Sequence, residues 1–110
     1  MVKRVLTQAG FLDSSTFRET RFLKPPKSTY AVYLDSCEIR GGDGVNLVVA
    51  HDYTIELYSY KLDPESEKKI ENAFDALGIS YRKEPRYWID TEQLYQVIYE
   101  FSHVEKKGGK

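Results

Sequence analysis

Few side chains in this sequence are equipped for chemistry. His51 and His103 are the only imidazoles, and Cys37 is the only thiol. A nucleophilic centre needs a nucleophile, a base within reach and a group that orients the base. Cys37 and His51 make such a dyad on paper, but no local signature surrounds them. The plain reading is a small residue near a strand end and a polar residue at a strand start. Zinc requires paired cysteines or histidines at short spacing, and the chain has none. Asp35, Glu38 and Asp43 cluster around Gly41-Gly42-Asp43-Gly44. A calcium loop, however, sets carboxylates at alternating positions through about twelve residues, and that pattern is missing. The glycine run also lacks the Gly-x-x-x-x-Gly-Lys spacing of a phosphate loop, and no amphipathic helix opens directly after it. It reads as a mobile hairpin tip.

Two further groups carry charge. Tyr81-Arg82-Lys83-Glu84-Pro85-Arg86-Tyr87-Trp88 interleaves aromatics with cations, the combination that stacks bases and tracks a phosphate backbone. The overall balance weighs against that use: 16 basic residues face 17 acidic ones, for a net charge of -1, whereas nucleic-acid surfaces concentrate positive charge. Trp88 reads better as a core anchor or an interface residue. Glu65, Glu67, Lys68, Lys69 and Glu71 read as a solvated helix face, with Glu65 and Lys69 a favourable i, i+4 pair. No catalytic, cofactor-binding or metal-ligating residue is expected, no cofactor, and no specific nucleic-acid partner.

The elements that would position these residues follow from local pattern. Val2, Val5, Leu6 and Ala9 recur at helical spacing, and Gly10 suits a left-handed cap. Residues 11–27 have no clean period and end in Lys24-Pro25-Pro26-Lys27, which must be extended because proline disfavours helix at the residue before it. This reads as a strap into a sheet. Residues 29–35 alternate as a strand, and so do residues 53–60, with residues 45–50 as an extension of the latter. Asp63-Pro64-Glu65 starts a helix: an N-cap carboxylate, a proline at the first helical position, then acids at the positive end of the dipole. Ile70, Ala73, Phe74 and Leu77 form its apolar stripe, Gly78 ends it, and Ile79 folds back on the last turn. Residues 80–89 read as a strand interrupted near Pro85 and therefore at an edge. Asp90-Thr91 turns, and residues 94–101 form the last strand, with Tyr95, Val97, Tyr99 and Phe101 on one face. The expected architecture is a single α+β domain over residues 1–102, an antiparallel four-stranded sheet with two helices on one face in the order α-β-β-α-β-β, followed by a polar, disordered tail over 103–110.

Composition agrees with a globular chain of this kind. Of 110 residues, 41% are hydrophobic and 30% charged, too apolar for disorder. One cysteine permits no intrachain disulfide. Residues 1–10 lack the apolar core and cleavage pattern of a signal peptide, and no run approaches the roughly 20 apolar residues of a membrane span. Nine tyrosines suit half-buried sheet faces and interfaces alike.

Three segments, in order, resemble one group of proteins. They are residues 22–33, with Pro25-Pro26 and Tyr30-Ala31-Val32-Tyr33; Tyr53-Thr54-Ile55-Glu56-Leu57-Tyr58 followed by the Asp-Pro-led helix; and Glu92-Gln93-Leu94-Tyr95-Gln96-Val97-Ile98-Tyr99-Glu100-Phe101. Together they are similar to small tail-terminator and head–tail joining proteins of long-tailed bacteriophages and prophages of Gram-positive bacteria. Members often carry a Gly-Ala-Asp-Asn-like loop, from which Gly41-Gly42-Asp43-Gly44-Val45-Asn46 departs. The resemblance implies a virion protein made in the host cytoplasm. It implies a ring of six copies that caps the tail-tube protein and docks on the head connector or head-completion protein, with no catalysis, no cofactor and no membrane. The face opposite the expected core, assigned as Tyr33, Glu56, Tyr58, Gln96 and Ile98, would supply contacts together with strand edges. A minor capsid component, a host-directed factor and a single-stranded nucleic-acid binder are the rival expectations.

Overall fold

The computed structural model describes residues 1–41 and 47–107. Of the expected hairpin tip Gly41–Gly44, residues 42–44, with Asp43, lie outside the described residues, as do residues 45–46 of the expected strand extension and residues 108–110. The elements run α1 (Val2–Gln8), β1 (Phe17–Glu19), β2 (Tyr30–Arg40), β3 (Leu47–Ser59), α2 (Pro64–Ala76), β4 (Arg82–Lys83), β5 (Tyr87–Ile89) and β6 (Leu94–Lys107).

Both helices end as their glycines require. Gly10 adopts φ +98° and Gly78 φ +68°. In each case the glycine amide and the one after it bond back into the last turn: Gly10 N to Thr7 O and Phe11 N to Leu6 O in α1, Gly78 N to Asp75 O and Ile79 N to Phe74 O in α2. This is the paired Schellman closure. At the start of α2, Asp63 accepts from the Ser66 amide at 3.1 Å and from the hydroxyls of Ser66 and Thr29. Burial alone would raise the Asp63 carboxyl, but these donors prevail and hold it below its ordinary value.

The sheet differs from the expected antiparallel four-stranded one. It has six strands and is mixed, in the order β1-β2-β3-β6-β4, with β5 also paired to β6. β1 runs parallel to β2, Phe17 opposite Ala31 and Glu19 opposite Tyr33. The segment read as a strap without a clean period therefore contributes an edge strand, too short to show any period of its own. Pro85 does interrupt the segment before Asp90, but the result is two strands, β4 and β5, each laid on β6.

α1 and α2 cover one face of this sheet. Val5, Leu6, Phe17, Ile55, Ile70 and Phe74 are fully buried there, with Tyr99 among them. Phe74 is the hub: its ring lies 4.5 Å from that of Tyr81, stacked, and meets Phe101 edge-on at 5.1 Å. Such contacts add about 0.5–1.5 kcal/mol beyond area burial.

Strands β2, β3 and β6 outrun the helices. β3 pairs with β6 from Ser59–Tyr95 through to Leu47–Lys107, so residues 103–107, expected in a disordered tail, continue the ladder. The radius of gyration is 15.5 Å and the extents are 50 × 29 × 24 Å. A compact domain of about 100 residues has a radius near 13 Å. The difference is this three-stranded arm.

Candidate functional site: an outer sheet face and an open-edged arm

Strand register decides which side chains share a surface. Tyr58 pairs with Tyr30 and with Gln96, and Glu56 with Val32 and with Ile98. Glu56, Tyr58, Gln96 and Ile98 therefore lie together on the face away from the helices. Tyr33 does not join them. It pairs with Ile55, which pairs with Tyr99, and it is buried on the helix side, its ring 6.3 Å from Phe17. Tyr30 takes the outer position expected for Tyr33. The run Tyr30-Ala31-Val32-Tyr33 is apolar at both parities, so alternation alone could not choose between them.

On the outer face the chain after β1 folds across the sheet. Thr20, at φ +70°, turns it, anchored by its amide on Tyr33 O at 2.8 Å. Phe22 then meets Tyr30 edge-on at 5.4 Å, Tyr30 stacks on Tyr58 at 5.3 Å, and the Tyr60 hydroxyl donates to Pro26 O. Tyr58 donates to Glu56 Oε1 at 2.8 Å and accepts from Gln96 Nε2 at 3.0 Å. Burial first, then the neighbouring Glu56 carboxylate, pushes the Tyr58 phenol up to about 12, so it stays a donor. Between strap and sheet is a cavity of about 280 Å³ whose lining includes Arg21, Phe22, Tyr30, Glu56, Tyr58 and Glu92.

On the helix-side face of the arm, Cys37, His51 and His103 sit at one level of the ladder. The imidazole is not poised as a base for the exposed Cys37 thiol. His51 Nδ1 lies 2.9 Å from Asp35 Oδ1, Nε2 lies 3.3 Å from Glu105 Oε1, and the ring stacks flat on Tyr53 at 5.2 Å. The Asp35 hydrogen bond raises the imidazole pKa above 6.5, against the opposing effect of burial and with help from Glu105. A raised folded pKa contributes stability in full below the unfolded value, and that contribution is lost as pH rises through the folded value. His51 should accordingly titrate above 6.5 by NMR. Asp35→Asn should lower that midpoint and should destabilise the protein more at about pH 5.5 than at about pH 8. An unchanged midpoint would mean the Asp35 bond is not formed in solution. Among the described residues, no group of three His, Cys, Asp or Glu side chains could hold a metal ion, and no helix is long and apolar enough to cross a membrane.

The cations of the Tyr81–Trp88 stretch are engaged by carboxylates. Arg82 pairs with Glu84 at 2.7 Å, Lys83 with Glu67 at 2.9 Å and Glu71 at 2.6 Å, and Arg86 with Glu67 at 2.7 Å. Trp88 packs tilted against Tyr95, 4.7 Å between ring centroids, and stays 38% exposed. Glu67, read as part of a solvated face, is instead 5% exposed. Its signal was present: it stands three residues before Ile70 and seven before Phe74, on the apolar stripe itself.

The edges of the arm are open. β1 reaches along β2 only to Tyr33, and β4 reaches along β6 only to Glu100. No described strand pairs with the outer side of β2 or β6 beyond those points. The parity of the free groups follows from the bonds that are made. Ala31 N donates to Thr16 O and Thr20 N donates to Tyr33 O, so the odd residues of β2 point outward, through Asp35, Cys37 and Ile39. Glu84 N donates to Ile98 O, so the even residues of β6 point outward, through Ser102 and Val104. Ile39 is 68% exposed and Val104 59% exposed, side by side with these unpaired backbone groups.

No protein-family model matches the chain, and no curated protein matches its sequence.

Proposed function

We propose that this chain is a phage virion structural protein, a tail terminator or head–tail joining component, whose copies close into a ring at the head-proximal end of the tail. The observation that carries this reading is the arm: two long, open strand edges at opposite sides of one three-stranded sheet. An exposed edge is a template for another chain. Two different edges on one subunit make a heterologous contact, which closes into a ring when the rotation allows. β2 and β6 both run antiparallel to β3, so the β2 edge of one copy and the β6 edge of the next would run parallel. The ordered resemblance over residues 22–101 supports the same reading and carries the sixfold symmetry and the partners, a tail-tube protein and a head connector or head-completion protein. The outer face, with Glu56, Tyr58, Gln96 and Ile98, is then free to dock on them. In this reading the chain acts by assembly, not by catalysis.

The test is the solution mass across a concentration series by light scattering, followed by binding to purified tail tubes. A closed ring, alone or on the tube end, is the expected result. A protein that stays monomeric and leaves tube ends bare would overturn the proposal. A second reading, a monomeric protein-binding adaptor, is favoured by the outer-face cavity and would take that second result.

A further inference from the structure

The cavity between the strap and the outer sheet face has a composition that the ring does not explain. Its lining includes the aromatic residues Phe22, Tyr30 and Tyr58 and the charged residues Glu56, Glu92 and Arg21. Two carboxylates against one cation leave it net negative. The volume, about 280 Å³, falls just below the roughly 300–1,000 Å³ of small-molecule sites, which suits one inserted side chain better than a cofactor.

Geometry narrows the occupant. Glu56 has one oxygen, Oε1, fixed by the Tyr58 hydroxyl, and Gln96 holds that hydroxyl in turn. The carboxylate is thereby oriented, and its second oxygen has no hydrogen-bond partner among the described residues. A planar guanidinium can donate to such a carboxylate while lying against an aromatic ring, whereas an ammonium is a point charge without the flat face. The chain already makes one contact of this type at the same strap: the Arg18 guanidinium carbon lies 5.8 Å from the centroid of the Phe22 ring.

We infer that this cavity is a recognition site for an arginine side chain presented by a partner protein, with Tyr58 and Phe22 as the stacking walls and Glu56 and Glu92 as the charge partners. The inference stands on the cavity and is independent of ring closure. A neutral side chain of the same shape would leave the carboxylates desolvated without a partner, so discrimination should rest on charge as well as fit.

The experiment uses the full chain, isotopically labelled and followed by amide NMR. Three probes are titrated: an acetylated, amidated glycine-arginine-glycine peptide, its lysine counterpart, and its citrulline counterpart, which keeps the shape and loses the charge. The arginine peptide should shift amides of residues 20–22, 30–32, 56–58 and 92–94 saturably, with the lysine peptide weaker and the citrulline peptide inert. Glu56→Gln and Glu92→Gln should each weaken arginine binding roughly three- to tenfold, while the mass of the assembly stays as in the wild type. Equal binding of citrulline or lysine would overturn the assignment. So would binding that survives the double variant, or the absence of shifts at about 20 mM peptide, a concentration well above the millimolar affinity of a single exposed contact of this type.

Discussion

Replacing Glu67 by alanine should lower the stability of the fold by about 3 kcal/mol, the lower end of the cost of breaking a buried ion pair. The side chain is 7% exposed and accepts from two cations, Lys83 on one oxygen and Arg86 on the other. Both cations are 36% exposed and can turn to water, and Lys83 keeps Glu71. This is why the lower end of the range applies. The loss should concentrate on β4 and β5. Those strands have two and three residues, and Glu67 ties the segment they span to α2. Urea melts should show the lower midpoint, and hydrogen exchange should show earlier opening of residues 82–89. Glu67→Gln, which keeps an acceptor, should cost less. Burial raises the Glu67 carboxyl, but Arg86 and Lys83 outweigh it and the net shift is downward. A depressed folded value contributes stability above the unfolded pKa, near 4.3, and that contribution is lost as pH falls through the folded value. The gap between wild type and Glu67→Gln should therefore narrow in acid. A constant gap from neutral pH to about pH 3 would show that packing, and not charge, holds this segment.

Cys37→Pro and Val104→Pro should each abolish ring assembly and leave a folded monomer. Both residues point their backbone groups away from the ladder they share with β3, by the parity set out above. Proline there removes an outward donor, and its ring blocks an approaching strand, while the internal hydrogen bonds remain. Ser36→Pro and His103→Pro are the matched controls: they remove inward donors and should destabilise the arm itself. Light scattering and circular dichroism on the four variants separate the outcomes. Normal rings from Cys37→Pro and Val104→Pro would show that the edges are not the contact, and the docking surface would have to be sought on the outer face instead.

Much of this molecule was legible in local pattern. The 2-residue alternation of residues 53–60 and 94–101 located most of β3 and the first half of β6. Asp63-Pro64 and Gly78 bounded α2 because capping is local chemistry, satisfied within four residues of each end. The outer positions of Glu56, Tyr58, Gln96 and Ile98 followed from the same alternation, out of phase with Tyr53, Ile55 and Leu57 on one strand and with Val97, Tyr99 and Phe101 on the other.

Where pattern failed, the missing information was non-local. β1 is three residues long and parallel, so nothing in Phe17–Glu19 distinguishes it from a loop until β2 presents an edge. Residues 103–107 hold a single apolar residue, Val104, and so show no alternation. Only the ladder with β3 makes them strand. The parity of Tyr30 and Tyr33 depended on α1 and Phe17 arriving on one side. His51 found its carboxylates on two other strands, 16 and 54 residues away, and the cavity was assembled from the strap, four strands and the turn before β6. The residues alone determined which segments are helix or strand wherever burial is one-sided and caps are local. Tertiary structure decided the sheet's order and hand of pairing, the open edges and the outer-face cavity, because each depends on chain segments meeting across a distance that no local preference encodes.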